Sequence, residues 1–350
     1  MMGPIPEAFN CIVGNDDIKK QLMVSIGAAK RRGLPLPHIL FAGAAGCGKT
    51  TTSKAVAVAM GVPYIPVSPY NLRTGKIIFD EIVSKLPWNG YDNKGNIVGK
   101  IIPSIVFIDE IHNIPLKGQE ILGLMMENWE FPSSRRKTGN IPRFTLVGAT
   151  TMEGMLSKPM RDRFKSILRF NTYSLSDSIK IVENYVMTGK GLKISRENAV
   201  EIARRSRGVP RLIIRYIDWM SDLLLVSTTG KGDEITGEIT SRAFKLMGID
   251  ERGLGEVDLK ILKCLAESDT PTGLDTLIVI SNETSKTIEQ VIEPFLIQTG
   301  LIKRTPSGRV ITEAGRDCLE EKGIVASSRH YIVDDQETEA NEEDNDREID

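Results

Sequence analysis

The sequence predicts an α/β fold: a parallel sheet flanked by helices, then a small helical domain, then three helices capped by a hairpin. Three observations carry this prediction. Apolar runs of strand length, HILFAG (38–43), SIVFID (104–109) and FTLVGAT (144–150), alternate with helical patterns, as expected of strands buried on both faces of a parallel sheet. From about residue 175 only helical periodicity remains. After residue 252 three helical segments lead into LIKRTPSGRVIT (301–312), which reads as strand, turn, strand.

Residues 16–32 open the order of elements. Ile18, Leu22, Ile26 and Ala29 fall at helical spacing, with Asp16 and Asp17 at the start and a basic end before Gly33. HILFAG then runs into a glycine loop, and TTSKAVAVAM (51–60) reads as the helix after it. In the second domain the helices are SDSIKIVENYVMTG, SRENAVEIARRSRG, PRLIIRYIDWMSDLLLVSTTG and ITSRAFKLMG. The last unit has helices at DLKILKCLAE, near TLIVIS and over SKTIEQVIEPFLIQTG, followed by the hairpin, a winged-helix pattern that commonly docks on duplex DNA. The expected boundaries are 1–174, 175–252 and 253–326, with an acidic tail at 327–350.

At 350 residues and 41% hydrophobic, the chain is long enough for two or three packed cores, which excludes a fibrous or disordered protein. Its four cysteines, Cys11, Cys47, Cys264 and Cys318, form no CxxC pair, so neither zinc nor a disulfide framework is suggested. With no leader pattern and no run of about 18 apolar residues, a cytoplasmic protein is expected, away from any membrane. The net charge of -1 is uneven. Residues 334–350 hold ten acidic residues against one Arg, a local charge of -9, which leaves +8 on residues 1–333. A moderately basic body suits a polyanion, and the acidic end reads as a solvated tail.

The chemistry sits at strand ends. Gly43 to Thr50, GAAGCGKT, fits G-x-x-x-x-G-K-[ST] between a predicted strand and a predicted helix, the context the motif requires. Its glycines let backbone N–H groups turn inward on phosphates, and the helix dipole faces the same anion. Lys49 adds a point charge for the β- and γ-phosphates of ATP, and Thr50 offers a hydroxyl to Mg²⁺. Cys47 inside the loop reads as a small filler. The run ending Asp109-Glu110 projects two carboxylates, Asp109 toward Mg²⁺ through water and Glu110 toward the attacking water. A strand between these two would bring the Thr150 hydroxyl beside the γ-phosphate. Arg161 and Arg163 in KPMRDRF and Arg211 in RGVPR follow in the order a ring ATPase needs for cations that offset transition-state charge.

Taken together, GAAGCGKT, FIDEIH, PRFTLVGATT, PMRDRF, RSRGVPR and EPFLIQTGLIKRTPSGR resemble the RuvB family in order and spacing over roughly residues 12–320. The winged-helix segment is the most diagnostic of these. The resemblance implies an AAA+ ATPase that works as a homo-hexamer, pumping double-stranded DNA through four-way Holliday junctions in recombination and repair. It implies that Gly46, Gly48, Lys49, Thr50 and Thr51 contact nucleotide, that Thr50 and Asp109 serve the metal, and that Glu110 serves hydrolysis. By the same resemblance Arg163 is a finger to the neighbouring subunit, Tyr173 and Arg211 close over the nucleotide, and Arg304 and Arg309 contact DNA phosphates.

Several positions depart from the family. The phosphate loop lacks the usual prolines and leucine, Ser307 stands where a third arginine is common, and Met152 replaces an arginine after GATT. Residues 127–144 are shorter than the family segment, and SSRRK replaces the apolar hairpin tip that docks a RuvA-like junction-binding partner. That substitution leaves room for an alternative: a AAA+ loader or remodeller acting on a protein partner at DNA.

Overall fold

The computed structural model describes residues 7–88, 102–131, 139–227 and 232–324. The acidic tail at 334–350 and the SSRRK segment lie outside the described residues. The chain divides into two compact units, residues 1–247 with 251–253, and residues 248–250 with 254–350. Among the described residues no helix is long and apolar enough to cross a membrane.

The first unit begins with α1 (Asp16–Arg32), which buries the four apolar residues its periodicity singles out. Gly33, at φ 63°, closes it by donating to the carbonyls of Ala29 and Lys30. There follow β1 (Ile39–Gly43), α2 (Lys49–Met60), β2 (Tyr64–Val67), α3 (Gly75–Glu81) and β3 (Ser104–Ile108). Then come α4 (Leu116–Asn128), β4 (Glu130–Phe131), β5 (Gly139–Asn140), β6 (Phe144–Thr150), α5 (Lys158–Asp162) and β7 (Ser166–Phe170). Five of these strands form one parallel sheet in the order β2-β3-β6-β1-β7. Alternate residues face opposite sides: Leu40, Val106, Ile108 and Leu146 pack into one core, and Ile39, Phe41, Ile105, Phe107 and Val147 into the other. Every residue of β6 is buried, as its central place demands. Because β6 lies between β3 and β1, the carboxyl ends of all three open on one crevice, where open α/β sheets bind ligands. β4 and β5 form a separate antiparallel pair at the base of the shortened segment.

The same unit continues through α6 (Leu175–Asn184), β8 (Lys193–Ile194), α7 (Arg196–Arg205), α8 (Pro210–Ser227), β9 (Glu234–Ile235) and α9 (Gly237–Met247). Ser174 and Ser195 cap α6 and α7 by accepting from the backbone N–H of Asp177 and Asn198. The expectation of helices alone needs one correction, since β8 and β9 form a parallel pair of two residues each. Strands this short carry no alternation to read.

The second unit contains α10 (Glu256–Glu267), α11 (Leu274–Ser281), α12 (Ser285–Thr287), α13 (Glu293–Gln298), β10 (Ile302–Thr305), β11 (Gly308–Ile311) and α14 (Glu313–Glu320). A π turn at Ile288–Ile292 joins α12 to α13 just before Pro294, which has no N–H to give a regular helix. β10 and β11 are antiparallel, and Thr272 adds a bridge to Arg309 through two backbone bonds of 2.9 Å. At Gly308, φ 154°, a Cβ would lie 2.6 Å from the Thr272 carbonyl oxygen, so this approach requires glycine. The α14 helix, absent from the sequence reading, is capped by the Thr312 hydroxyl and returns Cys318 and Leu319 to the core.

Candidate nucleotide-binding site

The phosphate loop leaves β1 at Gly43 and enters α2 at Lys49. Gly46 and Gly48 hold φ values of 80° and 89°, the left-handed conformation that glycine adopts readily and that anion-binding loops use. A Cβ on Gly46 would stand 2.8 Å from the Arg211 Cβ, so this glycine also lets α8 approach the loop. Lys49 is 6% exposed, and its ammonium donates to the carbonyls of Gly43 at 2.7 Å and Ala44 at 2.8 Å. Burial pushes its pKa below the ordinary lysine range, against the pull of Glu110 and Asp109. Cys47 is fully buried, and burial raises its thiol pKa, as suits a filler rather than a nucleophile.

From β3 the chain reaches Asp109, whose Oδ2 lies 3.5 Å from the Thr50 hydroxyl. Glu110 follows in the left-handed region at φ 47°, a conformation that costs a residue other than glycine some strain and recurs at functional sites. Its Oε2 accepts from the Thr151 hydroxyl at 3.0 Å and the Thr151 N–H at 3.3 Å, and lies 3.2 Å from Nδ1 of His112. One carboxylate oxygen is thereby fixed while the residue lines the crevice.

The structure does not bring Thr150 to the crevice surface. Its side chain is completely buried, its oxygen is 2.8 Å from Nδ1 of His112, and it accepts from the N–H of Met152. Thr150 continues the buried run of β6, so the next hydroxyl, on Thr151, is the one that reaches Glu110. Sequence reasoning missed Thr151 and His112 in these roles. The pair of threonines at a strand end and the His two residues after Glu110 were the available signals.

A cavity of about 230 Å³ collects Gly46, Gly48, Lys49, Thr50 and Thr51 from the loop, Asp109 and Glu110 from β3, and Pro210 and Arg211 from α8. Tyr173 closes the back of the loop. Its hydroxyl accepts from Asn15 at 2.7 Å and donates to the Cys47 carbonyl at 3.4 Å, and burial pushes its pKa up to about 12. Among the described residues no cluster of three His, Cys, Asp or Glu could hold a metal unaided. The oxygen donors Thr50 and Asp109 suit Mg²⁺, a hard ion that keeps several waters and draws its remaining ligands from phosphate.

Arg163 does not line this cavity. It pairs with Glu127 of α4 at 3.0 Å and donates to the Pro159 carbonyl at 2.7 Å.

In the second unit, Arg304 and Arg309 are directly opposite across β10 and β11. Arg304 is exposed, with Glu289 at 3.8 Å. Arg309 is 6% exposed and forks onto Glu293, Nε to Oε1 at 2.8 Å and Nη2 to Oε2 at 3.0 Å. Of the two arginines expected at DNA phosphate, the structure exposes Arg304 and buries Arg309, with Nε and Nη2 of Arg309 given to a buried carboxylate. Glu293 raises its pKa further above the ordinary range.

Comparison with known proteins places these sites in a family. Residues 39–172 match the ATPase family associated with various cellular activities (AAA), residues 173–250 the RuvB AAA lid domain, and residues 251–320 the RuvB C-terminal winged helix domain. The Holliday junction branch migration complex subunit RuvB of Methanoregula boonei is 37% identical over 319 residues, covering 88% of this chain and 89% of that protein. The chain belongs to the RuvB family. The RuvB of Nitratidesulfovibrio vulgaris is 35% identical over 317 residues, covering 88% of this chain and 93% of its own length. Among solved structures, the Thermotoga maritima RuvB Holliday junction branch migration motor aligns with a TM-score of 0.75 at 32% identity, covering 90% of this chain and 98% of its own. A RuvB protein is thus an AAA ATPase in which a parallel sheet, a lid and a winged helix follow one another, and nucleotide binding belongs to the first unit.

Proposed function

We propose that this chain is an ATP-driven DNA motor of RuvB type that promotes branch migration of Holliday junctions, acting as a hexameric ring on duplex DNA in the cytoplasm. The observation that carries this reading is a cavity uniting Lys49, Thr50, Asp109, Glu110 and Arg211 on the same chain as a RuvB winged helix. The RuvB proteins of M. boonei and N. vulgaris are described as subunits of a Holliday junction branch migration complex.

In this mechanism the N–H groups of Gly46 and Gly48, with those opening α2 at Lys49, Thr50 and Thr51, bind the phosphates of ATP. Lys49 exchanges its two carbonyl acceptors for phosphate oxygens. Thr50 and Asp109 would hold Mg²⁺, which neutralises phosphate charge when bound. Glu110 takes the proton of the attacking water or orients that water, and Thr151 fixes the carboxylate while it does so. Arg211 and Tyr173 sit where the lid meets the phosphate loop. Domain movement there couples nucleotide state to force. Arg163 serves the nucleotide of the neighbouring subunit. Arg304, exposed on the wing, contacts DNA phosphate.

The test measures ATP hydrolysis alone, with linear duplex and with a synthetic four-way junction, alongside movement of labelled junction arms. Hydrolysis stimulated by DNA together with junction resolution into duplex arms is the expected result. Hydrolysis indifferent to DNA, with junctions left intact, would overturn the motor and favour a loader acting on a protein.

A further inference from the structure

Arg163 stands at the end of α5, yet its guanidinium folds back over α4. Nη2 donates to Oε2 of Glu127 at 3.0 Å, and Nη1 donates to the Pro159 carbonyl at 2.7 Å. The third nitrogen, Nε, is buried and has no hydrogen-bond acceptor among the described residues. Gly123 makes room for this arrangement. It lies one turn before Glu127 on the same face of α4, and a Cβ there would stand 3.1 Å from Nε and 3.2 Å from Cδ and Cζ.

A cation that serves another subunit's nucleotide has to aim its Nη donors out of its own chain. Here one N–H of each Nη is given to an acceptor within the chain, and Nε is stranded. A buried donor without an acceptor marks an arrangement that gives up hydrogen-bonding capacity, so an alternative placement offering more acceptors competes well. Glu127 is 58% exposed, which makes the ion pair weak and screened by solvent. A phosphate group carries more charge and accepts two parallel bonds from a guanidinium, so it wins the exchange once it is near.

We propose that Glu127 is a positioning residue for Arg163. It holds the finger withdrawn on its own subunit, and the neighbouring subunit's phosphate draws the guanidinium off this carboxylate. The proposal rests on the reading of Arg163 as a finger acting across the ring. Glu127 lies outside the lining of the nucleotide cavity and acts only through Arg163. Its effect therefore falls on turnover at the neighbouring site and leaves that site's own phosphate contacts alone.

Steady-state ATP hydrolysis is to be measured over a range of ATP concentrations for the full chain, Glu127→Gln, Arg163→Ala and the double variant. Glu127→Gln removes the charge at constant shape, on a side chain exposed enough that the fold does not depend on it. The expected result is a two- to five-fold rise in kcat with KM unchanged, seen only when Arg163 is present. A kcat for Glu127→Gln at or below that of the full chain, with Arg163→Ala inactive, overturns the withdrawn finger and leaves the finger itself standing. An equal rise in both backgrounds places the action of Glu127 elsewhere and also overturns the proposal. If Arg163→Ala turns over as fast as the full chain, the finger reading fails and the latch fails with it.

Discussion

Arg309 and Glu293 form a two-pronged ion pair inside the winged helix, with bonds of 2.8 and 3.0 Å between β11 and the first residue of α13. Directly across the hairpin, Arg304 remains at the surface. Two arginines of one motif therefore have different work, and replacing them separates stability from binding. Arg309→Ala leaves the Glu293 carboxylate buried without its partner, at a cost of about 3–5 kcal/mol. Arg304→Ala leaves stability unchanged, weakens duplex binding without sequence preference, and lowers the slope of log affinity against log salt by roughly 0.9. Denaturant melts and salt titrations of both variants check this. Equal loss of DNA affinity at unchanged stability in both would restore the simpler view of the wing.

On the proposed mechanism, Glu110 handles the attacking water and Lys49 the phosphates. Glu110→Gln is expected to bind ATP normally and lose turnover by roughly 10²- to 10⁴-fold. Lys49→Ala is expected to lose binding itself. Thr151→Val removes the hydroxyl that holds Oε2 of Glu110 at 3.0 Å. It should lower kcat about ten-fold at unchanged KM, in keeping with one hydrogen bond to a charged group. Nucleotide affinity and single-turnover rates on the three variants decide the matter, and a fall in affinity for Thr151→Val would place its hydroxyl on phosphate.

How much of this was legible in the sequence follows from where the information lies. The phosphate loop and the Asp109-Glu110 pair are contiguous residues at strand ends, so motif and context could be read together. The place of β6 between β1 and β3 followed from the need to bring those ends to one crevice, whereas the flanking β2 and β7 carried no motif and were not read. The fate of Arg309 depends on Glu293, sixteen residues away and brought near by a helix that bends through a π turn before Pro294. No local pattern encodes that encounter. The choice between Thr150 and Thr151 rests on which hydroxyl the last residue of β6 turns inward, a matter of where the strand ends. Glu127 was invisible because a lone Glu on a helix surface has no periodic meaning until Arg163 lies beside it.

His38 gives a stability signature in acid. Its Nδ1 accepts from the N–H of Leu146 at 2.8 Å, which leaves Nε2 to donate to the Met126 carbonyl at 3.1 Å. The ring is buried, and burial lowers its pKa from 6.5 to about 4. The unfolded chain therefore binds a proton between those values that the folded chain refuses. The contribution is complete above pH 6.5 and is lost as pH falls through this window to about 4, amounting to about 3 kcal/mol at 1.36 kcal/mol per pH unit. Unfolding free energies of the full chain and His38→Gln, compared from pH 7 to pH 4, should converge toward the acid end. A constant difference between them would show that His38 stays out of the titration.

The role of Arg163 across a subunit boundary is open to a complementation test that its geometry motivates. Arg163 lies outside the cavity that Lys49 and Arg211 line, so it cannot serve that cavity from its present place. In a ring whose subunits alternate, an Arg163→Ala subunit still has an intact phosphate loop, and a Lys49→Ala subunit still has an intact arginine. Each variant alone should be nearly inactive, one for lack of the cation and the other for lack of bound nucleotide. Mixed rings contain interfaces that pair the good loop of one with the good arginine of the other, and these should hydrolyse ATP. Recovery should rise and then fall with mixing ratio, peaking near equal proportions, where productive neighbours are most frequent. Rings shown by tagged subunits to be mixed, yet silent at every ratio, would mean that Arg163 acts within its own chain. The withdrawn position over α4 would then be its working one.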